Sequence, residues 1–154
     1  MKILMVCLGN ICRSPLAAGL LNREFKTCSV EGFADSAGFE PYHIGDNADQ
    51  RAIEVAKKHG IDITAHRARL FRKEDFDTYD FIYVMDDLNY RDVSFVARNE
   101  NDLKKVDYIL NVITPGENDV VPDPYYGGAY KFEETFTLLE QACKKIAKKA
   151  SASH

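Results

Sequence analysis

Val6-Cys7-Leu8-Gly9-Asn10-Ile11-Cys12-Arg13-Ser14-Pro15 is the stretch on which the reading of this chain turns. Ahead of it, the apolar run Ile3–Val6 has the length of a buried strand, and behind it the spacing of Leu16, Leu20 and Leu21 predicts a helix over Pro15–Phe25. A strand, a Gly/Asn loop and a helix N-terminus are the parts of an anion cradle. Consecutive loop N–H groups can converge, and the helix end adds roughly half a positive charge. In such a field the Cys7 sulfur is favoured as an anion and becomes a nucleophile. Arg13 supplies a planar fork that fits two oxygens of a phosphate. Gly9 and Asn10 tolerate a left-handed turn. Ser14 can cap the helix and turn its hydroxyl to the sulfur, and Pro15 suits the first helical turn. A cysteine after a buried strand is most often a small core residue, and C-x5-R alone recurs by chance. The complete string, in which every position has a task, implies phosphoryl transfer to Cys7.

Val6 to Pro15 resembles, without departure, the V-C-x-G-N-x-C-R-S-P loop of the low-molecular-weight protein tyrosine phosphatases, and the resemblance runs nearly end to end. The larger tyrosine phosphatases carry a His before the nucleophile, where this chain has Val6, and place their acid upstream. The resemblance implies a metal-independent enzyme without cofactor. It would hydrolyse phosphotyrosine proteins and aryl phosphates through a phosphocysteine on Cys7. Leu8, Gly9, Asn10, Ile11, Cys12, Arg13 and Ser14 would bind the phosphate, and phosphate or similar oxyanions would be product or inhibitor.

The acid implied by the resemblance is Asp123, in Asp123-Pro124-Tyr125-Tyr126. Pro122 and Pro124 flank it and remove two N–H donors from its loop, so the carboxyl has fewer neighbours to hold it as an anion. Such a group can give a proton to a leaving phenolate and take one from water in the next step. Tyr125 and Tyr126 resemble the family's aromatic wall, and in the family these tyrosines can themselves carry phosphate. Tyr42 stands where the opposite wall often has a Trp, a residue this chain lacks altogether. His66, with Asn10, Ser14 and Ser36, resembles the set that supports the loop. Met85-Asp86…Asn89 also matches a family segment, although an Asp that opens a helix after a strand reads equally well. Cys12 shares the curled loop with Cys7, so a reversible disulfide between them could shield the nucleophile from oxidation.

The rest of the chain agrees with one α/β domain over residues 1–150, with 151–154 as a frayed tail. Apolar runs alternate with helical patterns, the mark of a parallel sheet covered on both faces. The expected strands are Lys2–Val6, Phe33–Ala37, Phe81–Met85 and Val106–Val112. The expected helices are Pro15–Phe25, Asp49–His59, Leu88–Ala97 and Lys131–Ala150, with a short helical turn at Lys73–Phe76. The whole is a Rossmann-like, three-layer sandwich around a four-stranded twisted parallel sheet, with the phosphate loop after the first strand.

With 154 residues, 45% of them hydrophobic and 29% charged, the chain can bury a core without staples. A net charge of −4 argues against nucleic acid as a partner. No apolar run reaches the ~18 residues of a membrane span. Lys2 followed by a strand-length run is no signal peptide, so the expected setting is cytoplasmic, as a monomer or weak homodimer. The four cysteines show no metal-ligand spacing. Cys28 and Cys143 read as packing residues, and Lys144, Lys145, Lys148 and Lys149 as a solvated face. Two other chemistries share parts of the pattern. Thiol-dependent arsenate reductase needs further cysteines in the second half, where only Cys143 stands. Phosphocysteine carriers, and phosphate-binding modules without catalysis, have no use for Arg13 and Asp123 together.

Overall fold

Strand β1 (Lys2–Val6) is the centre of the molecule: Ile3, Leu4, Met5 and Val6 are completely buried. Its side chains alternate between two cores, as strand geometry requires. Ile3 and Met5 face a core built with the helices α1 (Arg13–Thr27), α2 (Gln50–Lys58) and α6 (Ala129–Ala152). Leu4 and Val6 face a second core, which takes Phe76 from the short helix α3 (Asp75–Thr78) and Val93 from α4 (Asp87–Val96). A strand apolar on both faces must be covered on both, and this gives the three layers. The coordinates are a computed structural model that describes residues 1–152; Ser153 and His154, part of the expected tail, lie outside the described residues. Ser151 and Ala152 continue α6.

The sheet has four parallel strands in the order β2-β1-β3-β4, with β2 at Phe33–Ala37, β3 at Phe81–Val84 and β4 at Val106–Tyr108. The register pairs Val6 with Ala37 on one side and with Val84 on the other. The chain leaves β1 for β2 on one flank and later returns to β3 on the other. The C-terminal end of β1 is therefore the switch point of the sheet, where loops diverge and leave a crevice. Cys7 is the first residue beyond it.

The expected strand Val106–Val112 is cut short. It pairs only with β3 and ends at Tyr108, and Ile109–Val112 coils into a 3-10 turn. Asp107 is the cause: its side chain accepts from the Tyr108 N–H and from Asn111 Nδ2, and this local bonding competes with a sheet ladder. A helix that periodicity did not suggest, α5 (Glu100–Leu103), is too short to show a period; Asn99 caps it by accepting from the Asp102 N–H. Within the expected loop at Gly38–Gly45, Pro41–His43 forms one 3-10 turn.

Candidate active site

The phosphate loop runs from Cys7 to Arg13. Asn10 is its pivot, in the left-handed region at φ 56°. Three bonds hold it there. Its Nδ2 donates to Ser14 Oγ at 2.8 Å, its Oδ1 accepts from the Arg69 N–H at 2.9 Å, and its carbonyl accepts from His66 Nε2 at 2.6 Å. An L residue in that conformation costs about 1–2 kcal/mol, which the three bonds offset. Burial is the main reason His66 titrates below the usual histidine range; the Asn10 carbonyl bond acts the other way without reversing it. The ring is therefore neutral and carries its proton on Nε2.

Gly9 does not adopt the expected left-handed turn. Its φ is not positive; a Cβ there would lie 2.9 Å from Glu40 Oε1 and 3.3 Å from His43 Cδ2. Ser14 departs from the expected helix cap but keeps the expected place of its hydroxyl against the sulfur. Helix α1 begins at Arg13, Cys12 is its N-cap without a side-chain bond, and Ser14 lies inside the first turn. Both polar groups of Ser14 turn to the Cys7 sulfur, with Oγ at 3.0 Å and N–H at 3.4 Å from Sγ. At the helix end the Ser14 N–H thus points to the sulfur, the Leu16 N–H donates to the Cys12 carbonyl at 3.3 Å, and Pro15 has none to leave unpaired. Ser36 is buried at the end of β2, but its hydroxyl has no hydrogen-bond partner, so it is not part of the Asn10–Ser14–His66 network.

Arg13 is 2% exposed and is aimed by three groups. Nη1 donates to Asp86 Oδ2 at 2.8 Å and to the Val121 carbonyl at 2.7 Å, and Nη2 lies 3.7 Å from Asp123 Oδ2. Burial opposes its charge, but Cys7, the Asp86 bond and the two carboxylates outweigh burial and hold the guanidinium protonated. Asp86 serves twice, since its Oδ1 caps α4 by accepting from the Asn89 N–H. Sequence reasoning left this residue undecided. The available signal was its position two residues after β3, the neighbour of β1 at the switch point.

Asp123 stands across the cleft on the loop that leads to α6. The two prolines do not isolate it as expected: the Tyr125 N–H donates to Asp123 Oδ1 at 3.1 Å, and Arg13 approaches the other oxygen. The loop is tied to the sheet by the Val121 N–H, which donates to the Met85 carbonyl at 2.8 Å.

Cys7, Cys12, Arg13 and Asp123 share a cavity of about 180 Å³, completed by Leu8, Gly9 and Ile11. Its rim carries Tyr42, Tyr125 and Tyr126, together with Glu40 and His43, which the sequence reading did not single out. Tyr125 and Tyr126 meet edge to face at 5.0 Å, and Tyr126 is 94% exposed. Tyr42 hydrogen-bonds Glu40 and leans on His43, with 4.5 Å between ring centroids. All four cysteines are free thiols. Burial, with Asp49 next, pushes the Cys12 thiol well above the ordinary cysteine range. The arrangement offers a sulfur that can act as a nucleophile, a guanidinium that can receive an anion, a carboxyl beside it and aromatic residues at the rim.

Comparison with known proteins agrees with this geometry. The family described as low molecular weight phosphotyrosine protein phosphatase matches residues 2–153. A low molecular weight phosphotyrosine protein phosphatase of Schizosaccharomyces pombe is 38% identical over 141 residues, covering 90% of this chain and 89% of its own. The crystal structure of a protein tyrosine phosphatase from Entamoeba histolytica, with Hepes in its active site, superposes with a TM-score of 0.91 at 34% identity, covering 99% and 98% of the two chains. Vibrio vulnificus Wzb in complex with benzylphosphonate superposes with a TM-score of 0.86 at 30% identity, covering 96% and 97%.

Proposed function

This chain belongs to the low molecular weight phosphotyrosine protein phosphatase family, and on that premise we propose that it hydrolyses phosphotyrosine through a phosphocysteine formed on Cys7. Arg13 and the loop N–H groups hold the phosphoryl oxygens while the Cys7 sulfur attacks phosphorus in line with the ester oxygen. As the S–P bond forms and the P–O bond breaks, Asp123 gives its proton to the departing phenolate. Water then attacks the phosphocysteine and yields a proton to Asp123. The thiolate leaves with Ser14 Oγ donating to it, and inorganic phosphate is released. The charge on the phosphoryl group is met throughout by Arg13 and the backbone, so these steps call for no metal ion.

One observation carries this reading. Arg13, fully buried, lies 3.7 Å from Asp123 on a loop whose Cys7 sulfur is 3.0 Å from the Ser14 hydroxyl. A carrier or passive phosphate site needs the loop but not the carboxyl. Tyr42, Tyr125 and Tyr126 supply flat surfaces for a phenol ring, and the benzylphosphonate bound by the Vibrio relative is a ligand of that shape. Inorganic phosphate should occupy the loop as a competitive inhibitor.

The test is hydrolysis of para-nitrophenyl phosphate in the presence of a chelator. Wild type turns over, Cys7→Ser is inactive, and Asp123→Ala loses about 10²–10⁴ in rate. No turnover by the wild type overturns the reading.

A further inference from the structure

We propose that Arg51, which the steps above do not use, is the positioning residue that fastens the acid-bearing loop to the phosphate loop and so places Asp123 for proton transfer; the inference rests on the phosphocysteine reading. Arg51 is the second residue of α2, and its guanidinium makes contacts in three directions. Nε and Nη2 each donate to Asp49, at 3.0 Å to Oδ1 and 3.0 Å to Oδ2. Nη1 donates to the Gly127 carbonyl at 2.8 Å, across 76 residues of sequence. Its central carbon lies over the Tyr125 ring at 5.5 Å and over the Phe132 ring at 4.6 Å.

Each contact leads to the reacting groups. On one side the Asp49 N–H donates to the Ile11 carbonyl at 2.8 Å, so the Arg51–Asp49 pair is anchored on the phosphate loop. On the other side Gly127 closes a turn with Pro124, its N–H donating to the Pro124 carbonyl at 2.8 Å, and the Tyr125 N–H of that turn holds the Asp123 carboxylate. The other end of the segment is held at Val121, by Met85 and Arg13. Asp123 therefore sits between two fixed points, and Arg51 is the second. Without it, Gly127 and the Tyr125 ring lose the group that ties them to α2, and the carboxylate is held from one side.

A global structural role fits less well. The Arg51 side chain is 36% exposed, where ion pairs contribute little to stability. The cap of α2 uses the Arg51 backbone N–H on Asp49 and survives loss of the side chain. What the side chain controls is the placement of the acid, and misplacement of a catalytic group by about 1 Å can cost on the order of 10² in rate.

The experiment compares kcat/KM for phenyl phosphate, whose basic leaving group depends strongly on a proton, with that for para-nitrophenyl phosphate, whose less basic leaving group depends on it less. Wild type, Arg51→Ala, Arg51→Lys, Asp123→Ala and the Arg51→Ala/Asp123→Ala double variant are measured, with inhibition by inorganic phosphate and thermal melting alongside. The expected result is a loss of about tenfold or more on phenyl phosphate for Arg51→Ala and a clearly smaller loss on the nitrophenyl ester. Phosphate inhibition stays within about twofold of wild type, and the double variant is no worse than Asp123→Ala. Arg51→Lys keeps the charge but not the planar fork. It shows the same skew in smaller measure, and carries the test if the alanine variant melts early. Equal losses on both esters, additive losses in the double variant, or wild-type rates in both Arg51 variants overturn the inference while the Asp123→Ala skew leaves the phosphocysteine reading standing. Absence of that skew in Asp123→Ala overturns both.

Discussion

At the scale of the residue, Cys7 and Cys12 show how neighbours on one loop acquire different surroundings. Cys7 faces the Ser14 hydroxyl and N–H and the Arg13 charge. Burial and the nearby Asp49 keep Cys12 a protonated thiol. A mild oxidant should therefore strike Cys7 first, and Cys12 should act second. The sulfenic acid formed on Cys7 would condense with the Cys12 thiol, losing water and giving a disulfide. After peroxide treatment, a Cys7–Cys12 link should be found by peptide mass spectrometry, and dithiothreitol should restore wild-type activity. Cys12→Ala should recover far less of its own untreated activity. Recovery equal to that of wild type would remove the protective role. That Cys7, Arg13 and Asp123 would meet at one cavity was legible in the sequence, because each belongs to a short string with fixed spacing. The sequence did not disclose that Gly9 packs closely against Glu40 and His43, or that Ser14 leaves the cap of α1 without a side-chain bond. Both depend on packing between segments that only the fold brings together.

At the scale of the element, the end of β2 is as much a part of the site as the end of β1. Gly38 follows β2, and a Cβ on it would lie 2.8 Å from the Leu8 carbonyl oxygen and 2.9 Å from the Asn10 N. Neither atom can yield without moving the loop, since the Leu8 carbonyl also accepts from the Phe39 N–H and Asn10 is held by three bonds. Gly38→Ala should lower kcat/KM by about tenfold or more and weaken inhibition by phosphate. Unchanged kinetics in this variant would show that the loop has slack. The strands were legible because runs such as Ile3–Val6 are apolar on both faces. The truncation of β4 and the helix Glu100–Leu103 were not, since both are decided by single side-chain bonds, from Asp107 and Asn99, that leave no periodic trace.

At the scale of the whole molecule, the His66 bond couples the loop to global stability. Its pKa is lowered in the fold, chiefly by burial, from an ordinary value of 6.5. The unfolded chain takes up a proton as pH falls through that ordinary value, while the folded ring resists until its own lower pKa is reached. The contribution is thus present above pH 6.5 and is lost as pH falls through the folded value. Urea midpoints measured at pH 7.5 and 5.5 should fall more steeply for wild type than for His66→Gln, which can still donate to the Asn10 carbonyl but does not titrate. Parallel declines would place the acid sensitivity elsewhere.

The bond from Arg13 to the Val121 carbonyl spans 108 residues. It also has a consequence in time, because a chain is made from its N-terminus. The thiol leaves the ribosome early, within a strand and a helix that must wait for α6 to cover them. The arginine's second anchor and the carboxyl are synthesised much later. A half-made chain therefore carries the sulfur without the carboxyl, and the cavity is complete only once the Asp123 loop is made and α6 docks behind it.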